Sequence, residues 1–242
     1  IKDINWFSTY RVHHRVASSF RKGRVFLLGD AAHVHSPLGG QGMNTGIGDA
    51  INLGWKLEAV LTRGAPSSIL DTYEKERIGF ARQLVATTDK AFSFVNRRST
   101  LATAIRTRMV PFVLPMFFHS AAVRRYVFRL VSQTQINYRS SALSTGVLHH
   151  IHGGDRLPWL REQDNYAPLS TLDWQVHYYG EAVWDLVDWC KYHELPLHFF
   201  PPNGKIPPRT LCLVRPDGYV GWIGHRGDLT SLGRYVAQWR IS

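Results

Sequence analysis

The chain has 242 residues, 44% of them hydrophobic, and a formal net charge of +11. That length supports one or two domains with a real core, and the composition excludes a disordered or fibrous chain. No apolar run is long enough for a membrane-spanning helix, no signal-peptide pattern is visible, and two cysteines, Cys190 and Cys212, make no disulfide framework, so the expected compartment is a reducing cytoplasm.

The first strong pattern in chain order is residues 24–61, RVFLLGDAAHVHSPLGGQGMNTGIGDAINLGWKLEAVL. Val25 to Leu28 reads as a short buried strand that ends at Gly29-Asp30. A loop with Pro37, Gly39, Gly40 and Gly42 follows, then a helix from about Asn44 with Ile47, Ile51, Trp55 and Leu61 near one face. Strand, Gly-rich loop and helix N-terminus together let backbone N–H groups approach a ligand. Asp30, at the carboxyl end of a strand, is placed to accept hydrogen bonds from a sugar or polyol hydroxyl. The bare glycines leave room for a flat ring or a phosphate, and the helix dipole favours negative charge. On spacing alone, an ordinary strand–loop–helix connection with glycines serving turns explains the stretch equally well.

Residues 69–98 read as a long helix with Tyr73, Ala81, Leu84, Thr88, Ala91, Phe92 and Val95 along one side. Arg77, in Tyr-Glu-x-Glu-Arg, is expected to form a structural salt bridge. Residues 99–139 read as helical and apolar, broken at Pro111 and Pro115, with MVPFVLPMFF as core; a membrane-surface element is the other reading. Between Asp89 and Asp155 there is no acidic residue but nine basic ones; up to residue 142 the chain holds 20 basic and 8 acidic residues, beyond it 9 and 10. Nucleic acid or an acidic membrane would suit that charge, but the arginines lie in apolar helical patterns and not in a basic-aromatic module. Pairing with acids elsewhere, or attraction of small anions, fits better, so neither nucleic acid nor stable membrane insertion is expected.

Residues 140–157 read as a Ser/Gly-rich linker. Its His149, His150 and His152 lack a cysteine or carboxylate at ligand spacing, so no metal site is assigned. From Pro158 on, WQVHYYG is a strand, EAVWDLVDWCKYH a helix with Val183, Leu186, Val187 and Cys190 on one face, and LPLHFFPP a strand. RTLCLVRPDGYVGWIG is a hairpin turning at Pro216-Asp217-Gly218, and SLGRYVAQWR a closing helix. Strand–helix–strand, hairpin, helix is the order of a thioredoxin-like fold. With no Cys-x-x-Cys, redox activity there is not expected, and both cysteines read as buried packing residues.

The segment GRVFLLGDAAHVHSPLGGQGMNTGIGDAINLGWKLEAVL resembles the second flavin motif of the FAD-dependent aromatic hydroxylases, the single-component monooxygenases related to para-hydroxybenzoate, phenol and polyketide hydroxylases. The likeness runs from STYRVHHRVASSFRKGR to LDTYEKERIGFARQLV, about residues 8–89, and LVRPDGYVGW is similar to the C-terminal signature of the phenol hydroxylase branch.

The resemblance implies an α/β fold: the C-terminal part of a Rossmann-like FAD-binding domain with long helices over residues 1–139, then the thioredoxin-like domain over 158–242. It implies a cofactor site at Gly29, Asp30, Pro37, Gly39, Gly40, Gln41, Gly42, Met43 and Asn44. Asp30 would hold the ribityl chain, Gly40 to Asn44 the pyrimidine edge of the ring, and Pro37 would sit beside the substrate. The implied reaction is hydroxylation of a phenolic or polycyclic aromatic substrate with FAD, NAD(P)H and O2, and no catalytic acid or base is singled out. The family's opening GxGxxG is absent and DINWFSTYRV resembles the last strand of its substrate region, so the chain is expected to be the C-terminal portion of a longer protein. Its expected partners are the N-terminal part, an aromatic substrate and a homodimer mate. Other readings are a flavin-dependent epoxidase or halogenase, and a non-catalytic association module.

Overall fold

The computed structural model describes residues 8, 13–35, 40–96, 99, 103–202 and 204–241, with only the backbone of 89–92, 94–96, 106 and 114. Pro37, Gly39, most of DINWFSTYRV and the side chains of Ala91, Phe92 and Val95 lie outside the described residues. The chain forms two compact units, one of residues 1–48 and 78–131, the other of 49–77 and 132–242. The division falls inside two helices, α1 (Gly42–Leu61) and α2 (Asp71–Asn96).

In the first unit, β1 (Arg15–Val16) pairs antiparallel with β4 (His33–Val34), and β2 (Arg21–Lys22) with β3 (Val25–Phe26). The expected buried strand over Val25–Leu28 is therefore corrected to two residues with Val25 exposed. The ladder of β3 runs only to β2 across the Gly23 turn, where φ is +61°, and no parallel neighbour stands beside it among the described residues. Beyond α2 come a π-helical turn (Ile105–Met109), α3 (Val110–His119) and α4 (Ala121–Val131). The prolines do not break α3. Pro111 lies in the first turn, where its missing N–H has no partner to lose, and Pro115 removes a single bond. Within this chain by itself MVPFVLPMFF is not covered: Met109, Phe112, Met116 and Phe117 are all exposed.

Helix α1 starts at Gly42, two residues before Asn44, and Ile47, Ile51 and Leu61 are exposed. Its buried residues are mostly polar: Thr45, Asp49, Asn52 and Lys56, together with Leu53, Trp55 and Ala59.

The second unit is built on a four-stranded sheet in the order β10-β9-β7-β8. β7 (Gln175–Tyr179) runs parallel to β8 (Leu197–Phe200), joined by α5 (Trp184–Tyr192). β9 (Thr210–Val214) lies antiparallel to β7 and forms a hairpin with β10 (Val220–His225), and α6 (Leu229–Trp239) closes the chain. β7 and β9 are buried at every position, as expected for strands covered on both faces. Tyr179, Phe200, Cys212, Val214 and Ile223 pack against Leu148, Ile151, Leu157, Leu160 and Ile206. Cys190 and Cys212 are buried, and burial pushes both thiols up to about 12.

Residues 140–157, read above as a linker, are woven into this unit. β5 (Val147–Leu148) and β6 (Ile151–His152) form a hairpin, and Thr145 bridges to Trp222. The glycines serve close packing: a Cβ on Gly146 would lie 2.0 Å from the Ile223 carbonyl oxygen, and one on Gly153 2.4 Å from the Thr145 nitrogen. His149 and His150 are exposed at the hairpin turn.

Candidate functional site

In the first unit the hairpin strand β3 delivers the chain to a 3-10 turn, Gly29–Ala31, whose middle residue Asp30 is exposed. Gly29 has φ +56°, a left-handed conformation that favours glycine. It lies against the second turn of α1, where a Cβ on Gly46 would come 3.4 Å from the Gly29 Cα. The two glycines thus let the Asp30 turn and the start of α1 approach backbone to backbone. Gly46 was not singled out from the sequence, although its place in the motif offered the signal.

Gly40, at φ +63°, is exposed, and a side chain there would meet nothing. Gly42 opens α1 beside the His35 ring, 3.6 Å from where a Cβ would stand. Met43 and Asn44 are exposed in the first turn. Gln41 differs: it is buried, and its Nε2 donates to the Val131 carbonyl at 2.9 Å, so its side chain anchors the loop to the end of α4. The structure therefore brings together a left-handed glycine turn, an exposed carboxylate and the N-terminal turns of a 20-residue helix. Such an arrangement suits a ligand carrying hydroxyls and a flat or anionic edge.

Replacing Gly46 by Leu is expected to force the Gly29 turn away from α1 and to lower stability by about 1–3 kcal/mol. Gly46→Ala should be neutral or slightly stabilising, because its contact is tolerable and alanine favours a helix. Urea unfolding of the two variants checks this; equal behaviour would refute the close-approach account.

The second unit holds a buried charge cluster that the sequence did not reveal. Arg215 is fully buried and grips two carboxylates. Its Nη1 and Nη2 donate to Glu76 Oε1 and Oε2, both at 2.9 Å, while Nε and Nη2 donate to Asp217 at 2.9 and 2.6 Å. Lys56 Nζ donates to Glu76 Oε2 at 2.7 Å and to Asn52 Oδ1 at 2.8 Å, and Ser141 Oγ donates to Glu76 Oε1 at 2.6 Å. Trp55 Nε1 donates to Asp217, and the Arg215 guanidinium lies over the rings of Trp55, Tyr138 and Tyr219. Burial opposes ionisation of Glu76, but Arg215 and Lys56 outweigh it and hold the carboxyl well below the usual range. Burial pushes Lys56 down to about 8 despite the Glu76 charge beside it. Arg77 makes the structural pair expected of it: Nε donates to Asp49 at 2.6 Å and Nη1 to the Tyr138 hydroxyl at 2.9 Å. Among the described residues, no cluster of three or more His, Cys, Asp or Glu could hold a metal ion.

Residues 1–88 match the model of the FAD binding domain family. Along almost its whole length the chain is similar to flavin-dependent and aromatic-compound monooxygenases. It is 35% identical over 246 residues to a flavin-dependent monooxygenase of Mycobacteroides abscessus, covering 99% of this chain and 44% of that protein. It is 42% identical over 265 residues to the 6-methylpretetramide 4-monooxygenase of Streptomyces rimosus, covering 96% and 47%. The solved anhydrotetracycline hydroxylase OxyS of Streptomyces rimosus superposes with a TM-score of 0.72 at 28% identity, over 93% of this chain and 46% of that one. The chain thus spans under half the length of the relatives it matches.

Proposed function

We propose that this chain is the C-terminal portion of an FAD- and NAD(P)H-dependent monooxygenase that hydroxylates a phenolic or polycyclic aromatic compound. The observation that carries the reading is the Gly29–Gly46 approach, which sets the exposed Asp30 beside a glycine-opened helix N-terminus, in a segment that matches an FAD binding domain. The fit is chemical. Asp30 offers an acceptor for ribityl hydroxyls. The backbone from Gly40 to Asn44 offers donors to the polar edge of the ring, and a side chain at Gly40 or Gly42 would intrude there. By the resemblance, Pro37 would border the substrate. When bound, FAD supplies the redox chemistry with O2. The chain's own residues bind and orient it, and the positive end of α1 favours the anionic reduced ring.

The proposed domain layout keeps residues 1–139 as flavin-domain sequence. The tail from residue 158 is read as thioredoxin-like, supported by its parallel β7–α5–β8 unit followed by a hairpin and a helix. Without paired cysteines its work is structural: packing, shielding the active site, or association with a second copy. A cytoplasmic setting with NAD(P)H fits this chemistry.

The test is made on the full-length natural polypeptide that contains this chain. Purified protein should carry FAD, recognised by its visible spectrum, and should consume NADPH faster when a phenolic substrate is present. Asp30→Ala should lower FAD affinity at least tenfold, in line with loss of a charge-assisted hydrogen bond. A colourless full-length protein, or an Asp30→Ala variant that retains FAD unchanged, would sink the reading.

A further inference from the structure

α3 is apolar nearly all round. Met109 at the end of the preceding π-helical turn, and Phe112, Val113, Met116, Phe117 and Phe118, are all exposed, Phe112 at 79% and Met116 at 71%. At 3.6 residues per turn they spread over about two-thirds of the helix circumference. Tyr126, Leu130 and Val131 of α4 add further exposed apolar surface. A helix that is apolar around most of its girth is the core helix of a larger body, whereas one lying on a membrane has a single apolar face. Contiguous exposed apolar surface of this kind marks an interaction site.

We propose that α3 and α4 form a docking surface for the remainder of a flavin monooxygenase fold: the more than half of the relatives' length that this chain does not span. The proposal rests on the functional reading above and identifies the partner surface that completes it. Charge points the same way. Arg108, Arg125 and Arg129 are exposed around the apolar patch, and no acidic residue occurs between Asp89 and Asp155. The partner surface is therefore apolar and edged with carboxylates. A second copy of this chain does not meet that description, since it would set arginines against arginines.

The experiment mixes this purified chain with the separately expressed part of the Mycobacteroides abscessus monooxygenase that lies outside the matched region, and reads complex mass by light scattering. A one-to-one complex is expected. Phe112→Asp with Met116→Asp should weaken it at least tenfold. Because both side chains are exposed, the variant should keep the unfolding curve of the parent chain. Three results would overturn the proposal: no complex, a homodimer that the same double variant splits, or binding to phosphatidylserine vesicles lost in that variant. A complex that forms without flavin or turnover would refute the monooxygenase reading and leave the docking surface standing.

Discussion

Replacing Glu76 by Gln is expected to cost the second unit about 3–5 kcal/mol of stability, the range for removing one partner from a buried ion pair. The isosteric amide keeps the shape but leaves Arg215 and Lys56 facing each other without the charge that compensates both. The intact cluster is balanced, with Glu76 and Asp217 against Lys56 and Arg215. Chemical denaturation should show the loss as a lower midpoint at unchanged slope. A shift below about 1 kcal/mol would mean that the pairs contribute little. The double variant Glu76→Met, Arg215→Met should cost less than the sum of the single changes, because it removes charges together. The sign of the pH effect follows from the lowered carboxyl: its stabilisation is present above the ordinary glutamate range and is lost as pH falls through and below it.

His177 should make the same unit acid-labile at a milder pH. It is fully buried in β7, with Nε2 bonded to Gln175 Oε1 at 2.9 Å and Nδ1 without a hydrogen-bond partner. Burial, reinforced by His198, pushes its pKa down to about 3. The unfolded chain therefore takes up a proton near the ordinary histidine value while the folded chain refuses it. Stability contributed above that value declines as pH falls from about 6.5 to about 3. At pH 4.5 the loss amounts to roughly 2–3 kcal/mol. His177→Phe, which keeps a ring between His198 and Phe200, should flatten the stability profile between pH 6.5 and 4. Superimposable profiles for the two proteins would assign the acid sensitivity to other groups.

Elements set by local pattern were legible in the sequence. The tail's strand, helix, strand, hairpin and helix fall where turn residues and alternation placed them. The long helix expected over 69–98 forms over Asp71–Asn96. What failed depended on distant partners. The buried side of α1 reads as the polar side, because Asn52 and Lys56 meet Glu76, and Asn52 and Trp55 meet Asp217, 165 and 162 residues further on. Hydrophobic periodicity carries no term for a satisfied polar interior. Residues 140–157 looked like a linker because small residues serve flexible chain and close packing alike; close approaches such as that of the Ile223 carbonyl to Gly146 distinguish the two. In the candidate site the motif marked the loop, yet the role of Gly46 emerged only when Gly29 was seen across from it. The side chain of Gln41 holds to the Val131 carbonyl, a partner 90 residues away that the motif does not show.

The Glu76–Arg215 pair joins residues 139 positions apart. Translation at about 5–20 residues per second puts roughly 7 to 30 seconds between their syntheses. During that interval Lys56 and Glu76 belong to a segment whose final counter-charge does not yet exist, so the interior of the second unit cannot close from its N-terminal side. The last hairpin acts as a completion signal: nascent chains cut short before Arg215 leave the Lys56–Glu76 cluster without the guanidinium that completes it, and such chains are expected substrates of chaperones and proteases.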